Sequence, residues 1–366
     1  EPKAIVDAIR ERRGGQLGEL DRILLHSPAV AMGWNSMFGA IRSGTTLSPK
    51  FREMAMCIVG VMNGAEYEWV QHAPILEKAG WQVVVNVPEK QSFSSSELFD
   101  ATKGATAIIV GDDEVSREYL DSSRSTLKLV IKWGVGTDSI DKEAAARSGI
   151  TVMNTPGVFG GEVADMAMAY ILGLSRNILV VDSGVREGNW PHPVGRSLDG
   201  KVLGIIGYGD AGKNLAKRGV GFGMDIRFYD PYADPPADSS PQRSELDSLV
   251  QEADYLVLTC PSTPETRGMI NRERLAQMKT SAFLINVARG DLVEQASLEL
   301  ALASGEIAGA GLDVYEAEPL SATSALRGMN NVILGAHNGS NTHEALDRAS
   351  SVAARLVLEW QEENRV

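Results

Sequence analysis

A short strand that runs into a glycine-rich turn and then into a helix constrains this chain more than any other feature. Residues 201–207 read as the strand, with Val202-Leu203-Gly204-Ile205-Ile206 at its heart. Gly207-Tyr208-Gly209-Asp210-Ala211-Gly212 forms the turn, and 213–220 reads as the helix. A GxGxxG pattern alone is weak, because glycine is common, but between strand and helix it acquires a mechanism. The first glycine permits the tight turn. The second lets backbone approach a pyrophosphate, and the third lets the helix pack on the strand. Free N–H groups and the helix dipole then favour phosphate at the helix start. The next strand, 225–229, ends at Asp230. An acid there bonds the ribose hydroxyls and repels a 2′-phosphate, so the expected cofactor is NAD rather than NADP.

The remainder is organised around this unit. At 366 residues, two or three domains are expected. From residue 81, strand-like runs at 81–87, 107–110, 128–132 and 151–153 alternate with helical segments at 96–102, 116–122 and 141–148. A long apolar helix covers 161–175, a second alternating series runs from 201 to 338, and an amphipathic helix spans 342–361. Such alternation means parallel sheets faced by helices. The expected fold class is therefore α/β: two Rossmann-like, doubly wound parallel-sheet domains with a cleft between them, preceded by a short all-α segment. The expected boundaries are 1–80 for the helical segment, 81–177 plus 339–366 for a substrate (catalytic) domain, and 178–338 for the NAD-binding domain. Residues 185–200 hold Gly, Pro and Asn with little periodicity and read as a linker.

Charge and cysteine usage narrow the function. The net charge is -13, and no cluster of Lys and Arg interleaved with aromatics is evident. That argues against nucleic acid and against an anionic membrane surface as partners. The longest apolar runs, such as 54–62, are too short to span a bilayer. Cys57 and Cys260 are far apart and make neither a disulfide framework nor a zinc pattern. A reducing, cytoplasmic setting without a metal site is expected. The chain begins Glu-Pro-Lys-Ala, with no signal-peptide pattern and no initiator Met, which reads as a trimmed start.

Beyond the glycine loop, further motifs follow in order: Asp230-Pro231, Cys260-Pro261-Ser262-Thr263-Pro264-Glu265-Thr266, Ile285-Asn286-Val287-Ala288-Arg289-Gly290-Asp291, Gly311-Leu312-Asp313-Val314-Tyr315-Glu316-Ala317-Glu318-Pro319, and His337-Asn338-Gly339. Lys132-Trp133-Gly134-Val135-Gly136-Thr137-Asp138 and Asn154-Thr155-Pro156-Gly157 stand in the first unit. Over about residues 75–366 the chain resembles the D-isomer-specific 2-hydroxyacid dehydrogenases, which include phosphoglycerate dehydrogenases. The resemblance implies hydride transfer between a small D-2-hydroxy acid and NAD, or from NADH to a 2-oxo acid in reverse. It leaves 3-phosphoglycerate, glyoxylate, hydroxypyruvate and branched 2-oxo acids open as substrates, and implies a homodimer formed through the cofactor domain. It makes Arg289, Glu318 and His337 the catalytic set. It puts Gly207, Tyr208, Gly209, Asp210, Ala211, Gly212, Asp230, Cys260, Pro261, Thr266, Val287, Ala288, Asp313 and Gly339 on the cofactor, with the Asp313 carboxylate facing the nicotinamide amide. Backbone N–H groups of Val135 and Gly136 would hold the substrate carboxylate.

The chemistry agrees with that trio. A carboxylate beside a carbonyl suits the planar donor fork of an arginine. When a hydride leaves carbon, a proton must leave oxygen, and a histidine titrating near neutrality can take or return it. A glutamate paired with that histidine favours its protonated form, which suits reduction. The intact trio counts against the rival reading, an NAD-responsive corepressor-like binding protein. His26, His192 and His343 have no such context and read as solvated. Three departures from the family pattern stand out: Asp165 for a glutamate, Ala211 for an isoleucine, and Ala336-His337-Asn338-Gly339-Ser340 for Pro-His-Ile-Gly-Gly. The last reshapes the wall beside the nicotinamide. With no regulatory domain after residue 361, serine-type feedback is not expected.

The front piece reads differently. Arg13-Gly14-Gly15, Leu24-Leu25-His26-Ser27-Pro28, Trp34-Asn35, Phe38-Gly39-Ala40, Arg52-Glu53 and residues 63–72 resemble the carboxymuconolactone decarboxylase and alkylhydroperoxidase-D-like helical family, over residues 12–80. Ala65 and Glu68 stand where peroxidase relatives carry a cysteine pair, so thiol chemistry is not expected. Glu53 and His72 are either an acid–base pair, with a lyase or oligomerisation role for the segment, or remnants. The dehydrogenase-like part lacks a clear first strand, and residues 57–62 are the candidate for it. The cofactor unit is expected to stand without residues 1–72.

Overall fold

The computed structural model describes residues 2–13, 15–17, 19–27, 30–33, 35–36, 84–86, 92–234 and 241–364. The Glu53–His72 pair and the candidate strand at 57–62 lie outside the described residues, as does most of the expected strand at 81–87. Two compact units emerge: Glu1–Val87 with Ser350–Val366, and Pro88–Ala349. In the first lie helices α1 (Pro2–Arg13) and α2 (Glu19–Leu24). Its buried side chains include Ile9, Ala31, Val357 and Leu358.

The second unit carries both sheets. In the smaller, β1 (Ala107–Val110), β2 (Leu129–Lys132) and β3 (Thr151–Asn154) run parallel in that order. Helices α3 (Ser95–Ala101), α4 (Arg117–Ser123) and α5 (Lys142–Arg147) accompany them. Each helix start is set by a short polar residue. Ser116 accepts from the Tyr119 N–H at 3.3 Å, and Asp141 from the Ala144 N–H at 2.8 Å. Leu98, Val110, Leu120, Val130 and Ile140 form the core.

The larger sheet has seven parallel strands: β4 (Val202–Ile206), β5 (Asp225–Tyr229), β6 (Gln242–Arg243), β7 (Tyr255–Leu258), β8 (Phe283–Asn286), β9 (Gly309–Leu312) and β10 (Val332–Leu334). Their order is β10-β9-β8-β7-β4-β5-β6. Every residue of β7, β8 and β9 is buried, as a parallel sheet covered on both faces requires. Alternation divides them between two cores. Leu256, Leu258 and Leu284 belong to one cluster, and Tyr255, Val257, Phe283 and Ile285 to the other. The chain leaves β4 toward β5 and β6 on one side and returns to β7 on the other. That reversal is the switch point at which such sheets bind ligands, beyond the carboxyl ends of their strands.

Helices α6 (Gly160–Ser175), α7 (Ile178–Arg186), α8 (Asp210–Gly221), α9 (Leu246–Glu252), α10 (Arg272–Gln277), α11 (Gln295–Ser304) and α12 (His343–Glu363) complete the order. The reading from sequence groups the long apolar helix with the smaller sheet, within 81–177. In the structure Ala164, Ala167, Ile171 and Leu174 of α6 share a core with Leu203, Ile205 and Val257 of the larger sheet. Glycine makes the approach close, since a Cβ on Gly311 would lie 2.7 Å from the Tyr170 Cβ. Residues 339–366 were likewise expected with the substrate domain, whereas Ser350–Val366 groups with Glu1–Val87. Among the described residues no single helix is long and apolar enough to cross a membrane.

Candidate active site

The glycine turn stands at the switch point. Gly207 has φ +97°, and a Cβ there would come within 2.6 Å of the Cys260 backbone nitrogen. β4 and β7 thus end against each other, and only glycine fits. A Cβ on Gly212 would overlap the Gly207 carbonyl oxygen. Gly209 differs, because a Cβ there would meet nothing within 4 Å. No packing within the protein demands glycine at that place, and the backbone there is open to the approach of a ligand. Gly209 is also the N-cap of α8, with no side-chain cap bond, which leaves N–H groups of the first turn to an anion.

The flanking residues shape this cradle. Asp230 follows β5 and accepts from the Tyr208 N–H at 2.7 Å and from the Tyr232 and Ala233 N–H groups at 2.8 and 3.1 Å. Those three bonds fix the acid at the carboxyl end of β5. Tyr208 stacks on Phe228, with ring centroids 4.0 Å apart. The Asp210 side chain turns toward Gly160 and accepts from the Asn214 amide at 3.0 Å. Ala211 is half-buried on α8. Cys260 is buried, and burial pushes its thiol up to about 12, so it lines the site as an apolar group. Thr266 closes the following loop by donating to the Pro261 carbonyl at 2.8 Å. Val287 is buried and Ala288 half-buried after β8. Asn286, which the sequence reading passed over, holds that turn: its Nδ2 donates to the Arg289 carbonyl at 2.7 Å and its Oδ1 accepts from the Ala288 N–H at 3.1 Å.

Of the expected catalytic trio, Glu318 and His337 meet directly. His337 Nδ1 lies 2.7 Å from Glu318 Oε2, and Glu318 Oε1 accepts from the Tyr315 N–H at 3.0 Å. Nδ1 is therefore committed to the carboxylate, and Nε2 is the nitrogen left for a substrate. The bond from Glu318 holds the imidazole pKa above its ordinary value. Burial opposes this, the charges of Glu318 and Asp112 support it, and Arg289 opposes it weakly. His337 has φ +53°, a conformation that costs a residue with a Cβ of order 1–3 kcal/mol. Its N–H is tied to the Asp313 carbonyl at 2.7 Å.

Asp313 is buried, and its carboxylate accepts from the Tyr170 hydroxyl at 3.0 Å, the Asn338 N–H at 3.1 Å and the Gly339 N–H at 2.7 Å. The resemblance turns this carboxylate toward the nicotinamide amide. Here its bonds go to the protein, and its visible work is to shape the loop 337–339.

Arg289 meets the smaller sheet. Its Nε donates to both oxygens of Asp138, at 3.2 and 3.1 Å. Burial raises the Asp138 carboxyl, but the Arg289 charge and bonds outweigh it and hold the group below the usual carboxylate range. A Cβ on Gly136 would overlap Arg289 Nη2, so the guanidinium lies against that loop. Among the described residues, the Val135 and Gly136 N–H groups have no protein acceptor. A cavity of about 390 Å³ lies elsewhere, lined by Leu174, Leu179, Val194, Arg196 and Phe283 among others, and none of the expected site residues reach it. No group of three or more His, Cys, Asp or Glu that could hold a metal is found among the described residues.

The arrangement joins a dinucleotide cradle to an acid–base pair and an anion fork. Residues 168–339 match the family model described as D-isomer specific 2-hydroxyacid dehydrogenase, NAD binding domain. A glyoxylate reductase from Thermococcus litoralis is 41% identical over 257 residues, which cover 67% of this chain and 77% of that protein. A hydroxypyruvate reductase from Thermotoga maritima is 35% identical over 75% of this chain and 92% of its own length. Among solved structures, D-lactate dehydrogenase from Aquifex aeolicus, complexed with NAD and lactic acid, superposes with a TM-score of 0.71 at 28% identity, covering 80% of this chain and 93% of that one.

Proposed function

The chain belongs to the D-isomer specific 2-hydroxyacid dehydrogenases, and on that premise we propose that it reduces a small 2-oxo acid of the glyoxylate or hydroxypyruvate kind with NADH, and oxidises the D-2-hydroxy acid in reverse. The observation that carries the reading is the 2.7 Å His337–Glu318 pair, in a unit where Arg289 lies along the Val135–Gly136 loop.

The matching family model is an NAD binding domain, and NAD when bound supplies or accepts the hydride. The cradle fits it. The N–H groups at the start of α8 would hold the pyrophosphate, the open side of Gly209 would admit it, and Asp230 would take the ribose hydroxyls. Cys260, Pro261 and Thr266 border the site beyond β7, and Val287 and Ala288 beyond β8. Asp313 and Gly339 set the wall at the reactive end.

The chain's own groups then do the rest. The Val135 and Gly136 N–H groups and the Arg289 guanidinium hold the substrate carboxylate and polarise the C2 carbonyl. Asp138 holds the guanidinium through Nε and the Ala288 carbonyl holds Nη1 at 2.8 Å, which leaves Nη2, against Gly136, to the substrate. In reduction, His337 Nε2 gives its proton to the C2 oxygen, and Glu318 stabilises the imidazolium beforehand. In oxidation the neutral imidazole takes that proton back.

We further propose a cytoplasmic homodimer. Ile178, Leu179, Val180, Trp190 and Val194 are exposed along and after α7, an apolar strip that a second copy would cover. The direct test of the catalytic reading is a panel of 2-oxo acids with NADH, followed by absorbance. NADH consumption with glyoxylate or hydroxypyruvate is expected, and its absence with every acid overturns the reading.

A further inference from the structure

Among the described residues, the chemistry above leaves one buried cation unused. Lys132 ends β2 and is only 3% exposed. A buried ammonium persists only when paired. Here Nζ donates to the Gly111 carbonyl and to Asp112 Oδ1. β1 and β2 are in register, with Val110 opposite Lys132, so the pair emerges at the carboxyl ends of parallel strands, where such sheets bind ligands. It also lies beside the substrate loop. A Cβ on Gly134 would sit 3.4 Å from Lys132 Cε and 4.0 Å from Nζ, and Gly136, two residues on, abuts Arg289.

Asp112 is the outward half of the pair, its side chain 52% exposed against 4% for Lys132. Among the described residues its Oδ2 accepts no hydrogen bond. Burial raises its carboxyl. The charge of Lys132 and the bond from it, with the charges of His337 and Arg289, more than offset this and hold the group below the usual carboxylate range.

We propose that Asp112, anchored by Lys132, is a specificity-determining residue that accepts a hydrogen bond from a hydroxyl on C3 of the 2-oxo acid and turns away substrates with a second negative charge. This rests on the 2-oxo acid reductase reading above. The charges balance in pairs: Arg289 with Asp138, His337 with Glu318, Lys132 with Asp112. The Val135–Gly136 loop and the Arg289 fork serve one carboxylate. A second would meet Asp112, because Lys132 is already neutralised. A C3 hydroxyl meets a fixed acceptor instead.

The test is Asp112→Asn in the full chain. Asparagine keeps an oxygen for Lys132, removes the charge and replaces the acceptor oxygen on the substrate side with an amide donor, and an NADH fluorescence titration at the wild-type Kd shows that the variant is folded. kcat/KM is then measured with glyoxylate, which has no C3, with hydroxypyruvate, which has a C3 hydroxyl, and with oxaloacetate, which has a second carboxylate. The ratio of hydroxypyruvate to glyoxylate is expected to fall about tenfold. The ratio of oxaloacetate to glyoxylate is expected to rise about tenfold, as Lys132 becomes available to the added carboxylate. Ratios that stay within about twofold of wild type in an active variant overturn the inference and leave the reductase reading intact. A wild-type enzyme inactive on all three acids overturns the reading and the inference together.

Discussion

His337 carries two unusual features at once, a left-handed backbone and an imidazole pKa held above its ordinary value by Glu318. Their coincidence at one residue is what a proton-transfer role requires, since the backbone aims the ring and the carboxylate sets its charge. His337→Ala is expected to bind NADH as the wild type does and to lose about 10² to 10⁴ in turnover. Turnover near wild type would remove the residue from the mechanism. The pH dependence follows from the sign of the shift. Reduction uses the protonated ring, so kcat/KM for the 2-oxo acid should persist above pH 6.5 and decline as pH rises through the folded pKa. Oxidation should rise over the same window. The pair's contribution to stability has the same sense, fully present below the unfolded value and lost as pH rises through the folded one. Glu318→Gln should move the decline in reduction to lower pH, and a pH–rate profile that does not move would show that Glu318 does not set the histidine. At the other end of the site, Asp230→Ser should let NADPH compete with NADH, because the charge that repels a 2′-phosphate is gone. Steady-state assays with both cofactors measure this, and a wild-type enzyme that uses both equally defeats the argument.

At the scale of elements, the glycine turn separates two demands that sequence alone merges. Gly212 is required by the protein, since a Cβ would overlap the Gly207 carbonyl, whereas the space beside Gly209 is open. Gly212→Ala should therefore lower the melting temperature and abolish NADH binding together, at a cost of about 1–3 kcal/mol in stability. Gly209→Ala should melt as the wild type does and yet bind NADH more weakly, by roughly tenfold or more. Thermal melts and fluorescence titrations distinguish the two, and unimpaired NADH binding by Gly209→Ala would mean that the turn is not the pyrophosphate site. The turn itself was legible in the sequence because strand, glycines and helix are contiguous there. So were β1, β2 and β3, whose apolar, largely β-branched runs agree with the structure to within a residue or so. β6 left no signal, being two exposed residues. The pairs that complete the site were illegible for a different reason. Arg289 and Asp138 are 151 residues apart, and Asp313 and Tyr170 are 143 apart. Periodicity reports what a residue's own element buries, not which distant carboxylate will stand opposite. The same limit explains α6, whose apolar stripe shows that it is buried but not on which sheet.

For the whole molecule, the destination of α6 decides where the cofactor unit begins. A boundary at residue 178 cuts away the helix that covers one face of the seven-stranded sheet. Leu203, Ile205, Val257 and Ile285 are fully buried on that face, in one cluster with Ala164, Ala167 and Ile171 of α6. Burying an aliphatic side chain of this size contributes about 1.5–3 kcal/mol, so exposing even a few of them approaches the 5–15 kcal/mol by which ordinary domains are stable. α6 also holds the cradle directly, through Asp165 with Arg218 on α8 at 2.6 Å and Tyr170 with Asp313 at 3.0 Å. The expectation that a cofactor unit cut at 178 would stand alone is thus revised. A fragment of residues 178–341 should aggregate, because a bare apolar sheet face is an association surface. A fragment of residues 158–341 should be soluble and bind NADH within about threefold of the full chain's affinity, since it restores the helix and the two polar ties just named. Size-exclusion chromatography and NADH fluorescence on the two fragments provide the measurement. A soluble, NADH-binding 178–341 would show that α6 packs on the sheet without being needed by it, and would put the boundary back at residue 178.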